Sequence, residues 1–84
     1  MADLRTTRRK IEKIDLKMQK LFLKRMFYSD EIKKIKDAEG LPYEDLDREN
    51  YLKRKYAKDI MHYRKEYLDF LDQVFRLSKN EMKK

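Results

Sequence analysis

The chain has no cysteine, no tryptophan, and a single histidine, glycine and proline among its 84 residues. Without cysteine there is no disulfide, no thiol nucleophile and no thiolate metal site, a usage that fits a reducing compartment. The lone histidine, His62, does not furnish a histidine-built metal centre, and it is read as no part of a catalytic triad. No apolar run reaches the length needed to span a bilayer and no signal peptide is visible, so a cytoplasmic location is expected. With one glycine and one proline close together, Gly40 and Pro42, the chain has one obvious break.

What is present is charge. Of the residues 46% are charged and the net charge is +7, which points to an anionic partner: nucleic acid, a membrane surface or a small acid. Such a composition favours disorder when apolar residues are scattered. Here they are periodic. A chain this short is expected to form one domain, 1–84, whose own core is marginal.

The stretch from Thr7 to Glu39 organises the rest. Its apolar residues Ile11, Ile14, Met18, Leu21, Tyr28, Ile32 and Ile35 step by three and four, the helical period. Phe22, Leu23, Met26 and Phe27 flank this stripe, giving an apolar girth that suits neighbours on two sides. As one helix the stretch runs about 50 Å, whereas a compact globule of this chain length is only about 30 Å across. One protomer cannot cover it, so a second chain, most simply a two-fold mate, is expected to. Residues 1 to 6 read as a frayed lead-in, with Thr6, Thr7 or Asp3 as the cap.

Gly40 suits the position past a helix end, and Pro42 prevents continuation. Asp45 then caps a second helix starting near Leu46, with Asp47 and Glu49 in its first turn. Leu52 and Tyr56 face inward, while Lys53, Arg54, Lys55 and Lys58 form a basic outer face. A short turn near residues 57 to 62 separates it from a third helix, although one continuous helix is the competing reading. The third stripe is Ile60, Tyr63, Tyr67, Phe70, Val74 and Leu77, and its next step lands on Glu81. The fold expected is all-α: three helices per protomer, one long and two shorter, in an intertwined homodimer.

The first helix has one gap in its stripe, at Arg25. A guanidinium on a buried seam is costly unless it meets a partner, which favours a functional role. Lys36 lies eleven positions on, on the same face and about 16 Å along the axis, within reach of a shared small ligand. Arg8 lies seventeen positions before Arg25, about 25 Å away, and cannot serve that ligand within one chain. In an antiparallel pair of first helices the mate's Arg8 approaches instead. Pattern alone leaves Arg8 and Lys36 open between function and a solvated face, and Lys10, Lys13, Lys17, Lys20 and Lys24 read as solvated. Asp45 is fully explained as a cap. Arg48 is not, since a cation in a first turn opposes the helix dipole. Glu81 by pattern is a terminal surface residue.

Together, Arg8-Arg9-Lys10-Ile11, Ile14-Asp15, Leu21, Lys24-Arg25, Lys36, Gly40-Leu41-Pro42 and Asp45-Leu46-Asp47-Arg48-Glu49 resemble the all-helical, AroQ-type chorismate mutases. The spacing holds without a gap from Arg8 to Glu49. The resemblance implies an intertwined helical dimer with two equivalent sites, rearranging the dicarboxylate chorismate to prephenate without metal or cofactor in aromatic amino acid biosynthesis. By position, Arg25 and the mate's Arg8 hold carboxylates, and Lys36 contacts a carboxylate and the ether oxygen. Arg48 supports the carboxylate side, Glu49 and Asp45 take the ring hydroxyl, and Ile32, Leu52 and Val74 form apolar walls. The third helix departs from the family pattern of a Ser followed one turn later by a Gln. Aligning the apolar stripes places Leu77 and Glu81 there, with Glu81 as a second donor when protonated. Aligning on Ser78 places Met82 there, which donates nothing. The stripe alignment is preferred. The rivals are an isochorismate pyruvate-lyase on the same fold, a basic helical module that binds nucleic acid, and a purely structural dimerisation bundle.

Overall fold

The computed structural model describes residues 3–84. Its elements are α1 (Leu4–Glu39), α2 (Leu46–Ala57) and α3 (Arg64–Met82), with no strand among the described residues. Of the expected lead-in, residues 1 and 2 lie outside the described part, and the helix already includes Leu4. Asp3 is the cap: its carboxylate accepts from the Thr6 backbone N–H at 2.7 Å, supplying one of the orphan N–H groups of a first turn with a partner.

α1 stops where the chain's only glycine stands. Gly40 is left-handed at φ 69°, and its N–H and that of Leu41 both turn back to the Lys36 carbonyl. A side chain at this φ is strained, so glycine is favoured. Asp45 caps α2 as expected, accepting from Arg48 N–H at 3.0 Å. The expected turn follows α2, spanning residues 58–63. Arg64 Nη1 donates to the Ala57 carbonyl at 2.6 Å, tying α3 to the end of α2. The residue that opens α3, Tyr63, is itself left-handed at φ 61° and offers no side-chain cap.

α3 packs against both other helices, while α1 and α2 do not pack on each other. The core is correspondingly small: Leu52, Leu71 and Phe75 are buried, with Tyr67 and Leu68 against them. Here the third stripe is corrected. The inward residues are Leu71, Phe75, Ser78 and Met82, whereas Phe70 is 51% and Leu77 38% exposed. The helix is turned from the expected face by one residue, about 100°. α3 is apolar on two adjacent sides, and the side bearing the small Ser78 is the one that meets Ser29 of α1. Lys53, expected on the outer face of α2, instead pairs with Asp72 of α3.

The protomer is 56 Å long and 25 Å by 16 Å across. Every residue of α1 from Leu4 to Arg25 is exposed. The bare part includes Ile11, Ile14, Met18, Leu21, Phe22 and Leu23. A contiguous apolar face of that extent is the mark of an interaction surface rather than of ordinary scattered exposure. Among the described residues no helix is long and apolar enough to cross a membrane.

Candidate active site

Where α1, α3 and the start of α2 converge, they border an open cavity of about 300 Å³. That is the lower end of the usual range for small-molecule sites. α1 contributes Arg25, Ser29, Ile32 and Lys36 to its lining; α2 and the residue before it contribute Asp45, Arg48, Glu49 and Leu52. α3 contributes Phe75, Ser78, Lys79 and Met82. Four cations therefore face two carboxylates, an excess of positive charge suited to an acidic ligand.

Arg25 is held from two directions. Its Nη1 donates to Ser78 Oγ at 2.7 Å, and its guanidinium lies 5.6 Å from the centre of the Phe75 ring, within cation–π range. Ser29 Oγ is 3.1 Å from both the Arg25 carbonyl and Ser78 Oγ. Both serines are buried, so their hydroxyls need the partners they have. Arg25 itself is exposed in the isolated protomer. The gap it makes in the α1 stripe is thus a cation on a cavity wall, partnered by α3, rather than a charge sealed in a core.

Lys36 is aimed by the loop that follows α1, its ammonium donating to the Tyr43 carbonyl at 2.9 Å. Tyr43 is in turn anchored: its hydroxyl donates to Asp37, which also receives Lys33 at 2.7 Å. Those two donors, Lys33 first and Tyr43 second, hold the Asp37 carboxyl below its ordinary range, and the same bond to Asp37 raises Lys33. Arg48 places its guanidinium 5.4 Å from the Tyr51 ring centre. The carboxylate of Asp45 is engaged by the Arg48 N–H as a helix cap. Glu49 pairs with Lys79 at 3.2 Å, and Glu44 lies 3.5 Å from the same ammonium. Burial disfavours the charge on Lys79, but hydrogen bonding and attraction from Glu49, then Glu44, outweigh it and the ammonium is raised above its ordinary value.

Of the residues singled out in the sequence, Arg25, Lys36, Asp45, Arg48, Glu49, Ile32 and Leu52 line this one cavity. Arg8 does not. It borders a separate concavity with Leu4, Arg5, Arg9 and Glu12, on the bare end of α1. Val74 is half-buried but does not line the cavity, and Glu81 faces away from it, paired with Lys84 at 3.1 Å. The preferred stripe alignment of α3 is thereby corrected: Ser78 and Met82 are the residues one turn apart on the cavity wall. Ser29, Tyr43, Phe75 and Lys79 were not anticipated. Ser78 and Met82 were visible as the second way of aligning the helix, but nothing in the spacing marks Lys79 or Tyr43. Among the described residues no group of three or more His, Asp or Glu side chains is arranged to hold a metal ion.

A family model described as chorismate mutase type II matches residues 7–83. Comparison with curated proteins and with solved structures finds no match.

Proposed function

The chain belongs to the chorismate mutase type II family, and from that premise we propose that it rearranges chorismate to prephenate in the cavity between α1, α2 and α3. The observation that carries the proposal is that Arg25 and Lys36, three turns apart on one helix, border the same 300 Å³ space with Arg48 and Glu49 opposite. The reaction is a pericyclic rearrangement in which an ether C–O bond breaks as a C–C bond forms, with no proton or external electron exchanged. A protein accelerates it by holding the folded diaxial conformer and by meeting charge as it develops on the ether oxygen.

In this reading Arg25, pinned by Ser78, grips one carboxylate. Arg48 supports the carboxylate side, and Glu49 accepts from the ring hydroxyl, with the Asp45 backbone beside it because its side chain is committed to the cap. Lys36 serves the ether oxygen. Met82 stands where a second donor is usual in the family and supplies none, so Lys36 carries that task alone and Glu81 takes no part. Ile32, Leu52 and Phe75 wall the ring. Arg8 enters from a second copy packed antiparallel along α1, which also covers the bare apolar residues from Ile11 to Leu23. The length of that face supports this arrangement, since one protomer has nothing to set against it.

The test is spectroscopic loss of chorismate with identification of prephenate, for the wild-type chain, Arg25→Ala and Lys36→Ala. Removing Lys36 takes away the sole preset donor and is expected to cost kcat about 100- to 1,000-fold. Arg25→Ala is expected to raise KM most. Cleavage of isochorismate to salicylate and pyruvate in place of this reaction, or no turnover of chorismate by the wild-type chain, overturns the proposal.

A further inference from the structure

α3 brings to the cavity a cation that the chemistry above does not use. The Lys79 ammonium is 3.2 Å from Glu49 and 3.5 Å from Glu44. The three members differ in exposure: the side chains of Glu49 and Lys79 are 17% and 22% exposed, that of Glu44 49%. Glu49 is therefore the inner partner, on the cavity wall, and Glu44 the outer one, in the loop before α2. An ordinary surface ion pair contributes little, but here two carboxylates converge on one partly buried ammonium, which ties the start of α2 and the loop before it to α3 beside the cavity.

We infer that Lys79 is a positioning residue, whose ammonium presets the Glu49 carboxylate as the acceptor for a ligand hydroxyl and cancels its charge toward an incoming dianion. The inference rests on the chorismate reading of the same cavity. Two physical effects make the role consequential. A glutamate left free loses rotamer freedom when it binds, a cost already met when Lys79 holds it. An uncompensated carboxylate on the wall also repels a substrate that carries two of its own. The rival role, direct contact of Lys79 with substrate, is disfavoured because both near neighbours of the ammonium are carboxylates of the protein.

The two roles separate experimentally. Steady-state turnover of chorismate is measured for the full chain, Lys79→Met, Lys79→Arg and Glu44→Gln. Competitive inhibition is measured in parallel with two ring dicarboxylates that differ only in one hydroxyl. Lys79→Met is expected to lower kcat/KM about tenfold and to reduce, by a similar factor, the preference for the hydroxylated inhibitor, as for one lost bond to a charged group. Lys79→Arg restores most of both. Glu44→Gln leaves the preference intact, whereas direct substrate contact predicts tighter binding once Glu44 no longer competes. A merely structural lysine lowers the melting temperature and weakens both inhibitors equally, which overturns the inference. An active wild-type chain with an unaffected Lys79→Met variant overturns it alone; a wild-type chain that neither converts chorismate nor binds either inhibitor removes the underlying reading as well.

Discussion

Ser78→Ala isolates the contact that places the first cation. Ser78 Oγ receives Arg25 Nη1 at 2.7 Å and lies 3.1 Å from the Ser29 hydroxyl. The Ser29 hydroxyl has one hydrogen and a second acceptor, the Arg25 carbonyl at 3.1 Å, so alanine at 78 leaves no buried donor stranded. Arg25 keeps the Phe75 ring at 5.6 Å and sits in an exposed position where water replaces the lost oxygen. The stability cost is therefore expected below the range usual for a hydrogen bond to a charged group, at about 1 kcal/mol. In a domain this size that is a fall in melting temperature of about 4–8 °C. Activity is expected to suffer more. A guanidinium free to swing grips a carboxylate poorly in both ground and transition states, so KM rises and kcat/KM falls about tenfold with kcat little changed. Thermal unfolding by circular dichroism and chorismate consumption, measured on one preparation, test both. If kcat/KM stays within about twofold of wild type while the melting temperature drops, Ser78 supports the fold but does not position Arg25, and the reasoning fails.

Gly40→Ala asks a purely conformational question, since a Cβ at Gly40 meets nothing within 4 Å but φ is 69°. It is expected to destabilise by about 1 kcal/mol, and an unchanged melting temperature refutes a left-handed C-cap there. Leu21, 66% exposed in the protomer, is the test of the second copy. By sedimentation the wild-type chain is expected to be dimeric and Leu21→Glu monomeric, with activity lost because Arg8 no longer reaches the cavity. A monomeric wild type sinks that arrangement.

Local features were legible from the sequence because their causes are local. The three-four spacing in α1, the Gly40–Pro42 break and the Asp45 cap act over a few residues, and each stands where it was expected. The α1 and α2 sides of the cavity followed, since residues at fixed helical intervals share a face and the interval from Arg25 to Lys36 is whole turns. α3 was harder for a physical reason. It has two apolar faces side by side, and the choice between Leu77 with Glu81 and Ser78 with Met82 depends on what lies across the interface. The fit of Ser78 to Ser29 and Arg25 decides it, and that fit joins residues 49 and 53 positions apart. Lys79 and Tyr43 escaped notice because lysine and tyrosine on a charged surface carry no periodic signature. Arg25 drew attention as a charge on a seam; the partners that explain it, Ser78 and Phe75, are on another helix.

The way the three helices touch has a consequence for how this protein tolerates change. With the long helix and the middle helix each resting only on the third, that third helix works as a common datum, and the two cationic walls have no independent reference. A substitution on its outer side, at Phe70 or Leu77, leaves the calibration alone. One at Leu71 or Phe75 displaces both walls at once, so errors there compound instead of cancelling, and repair calls for paired changes on opposite neighbours.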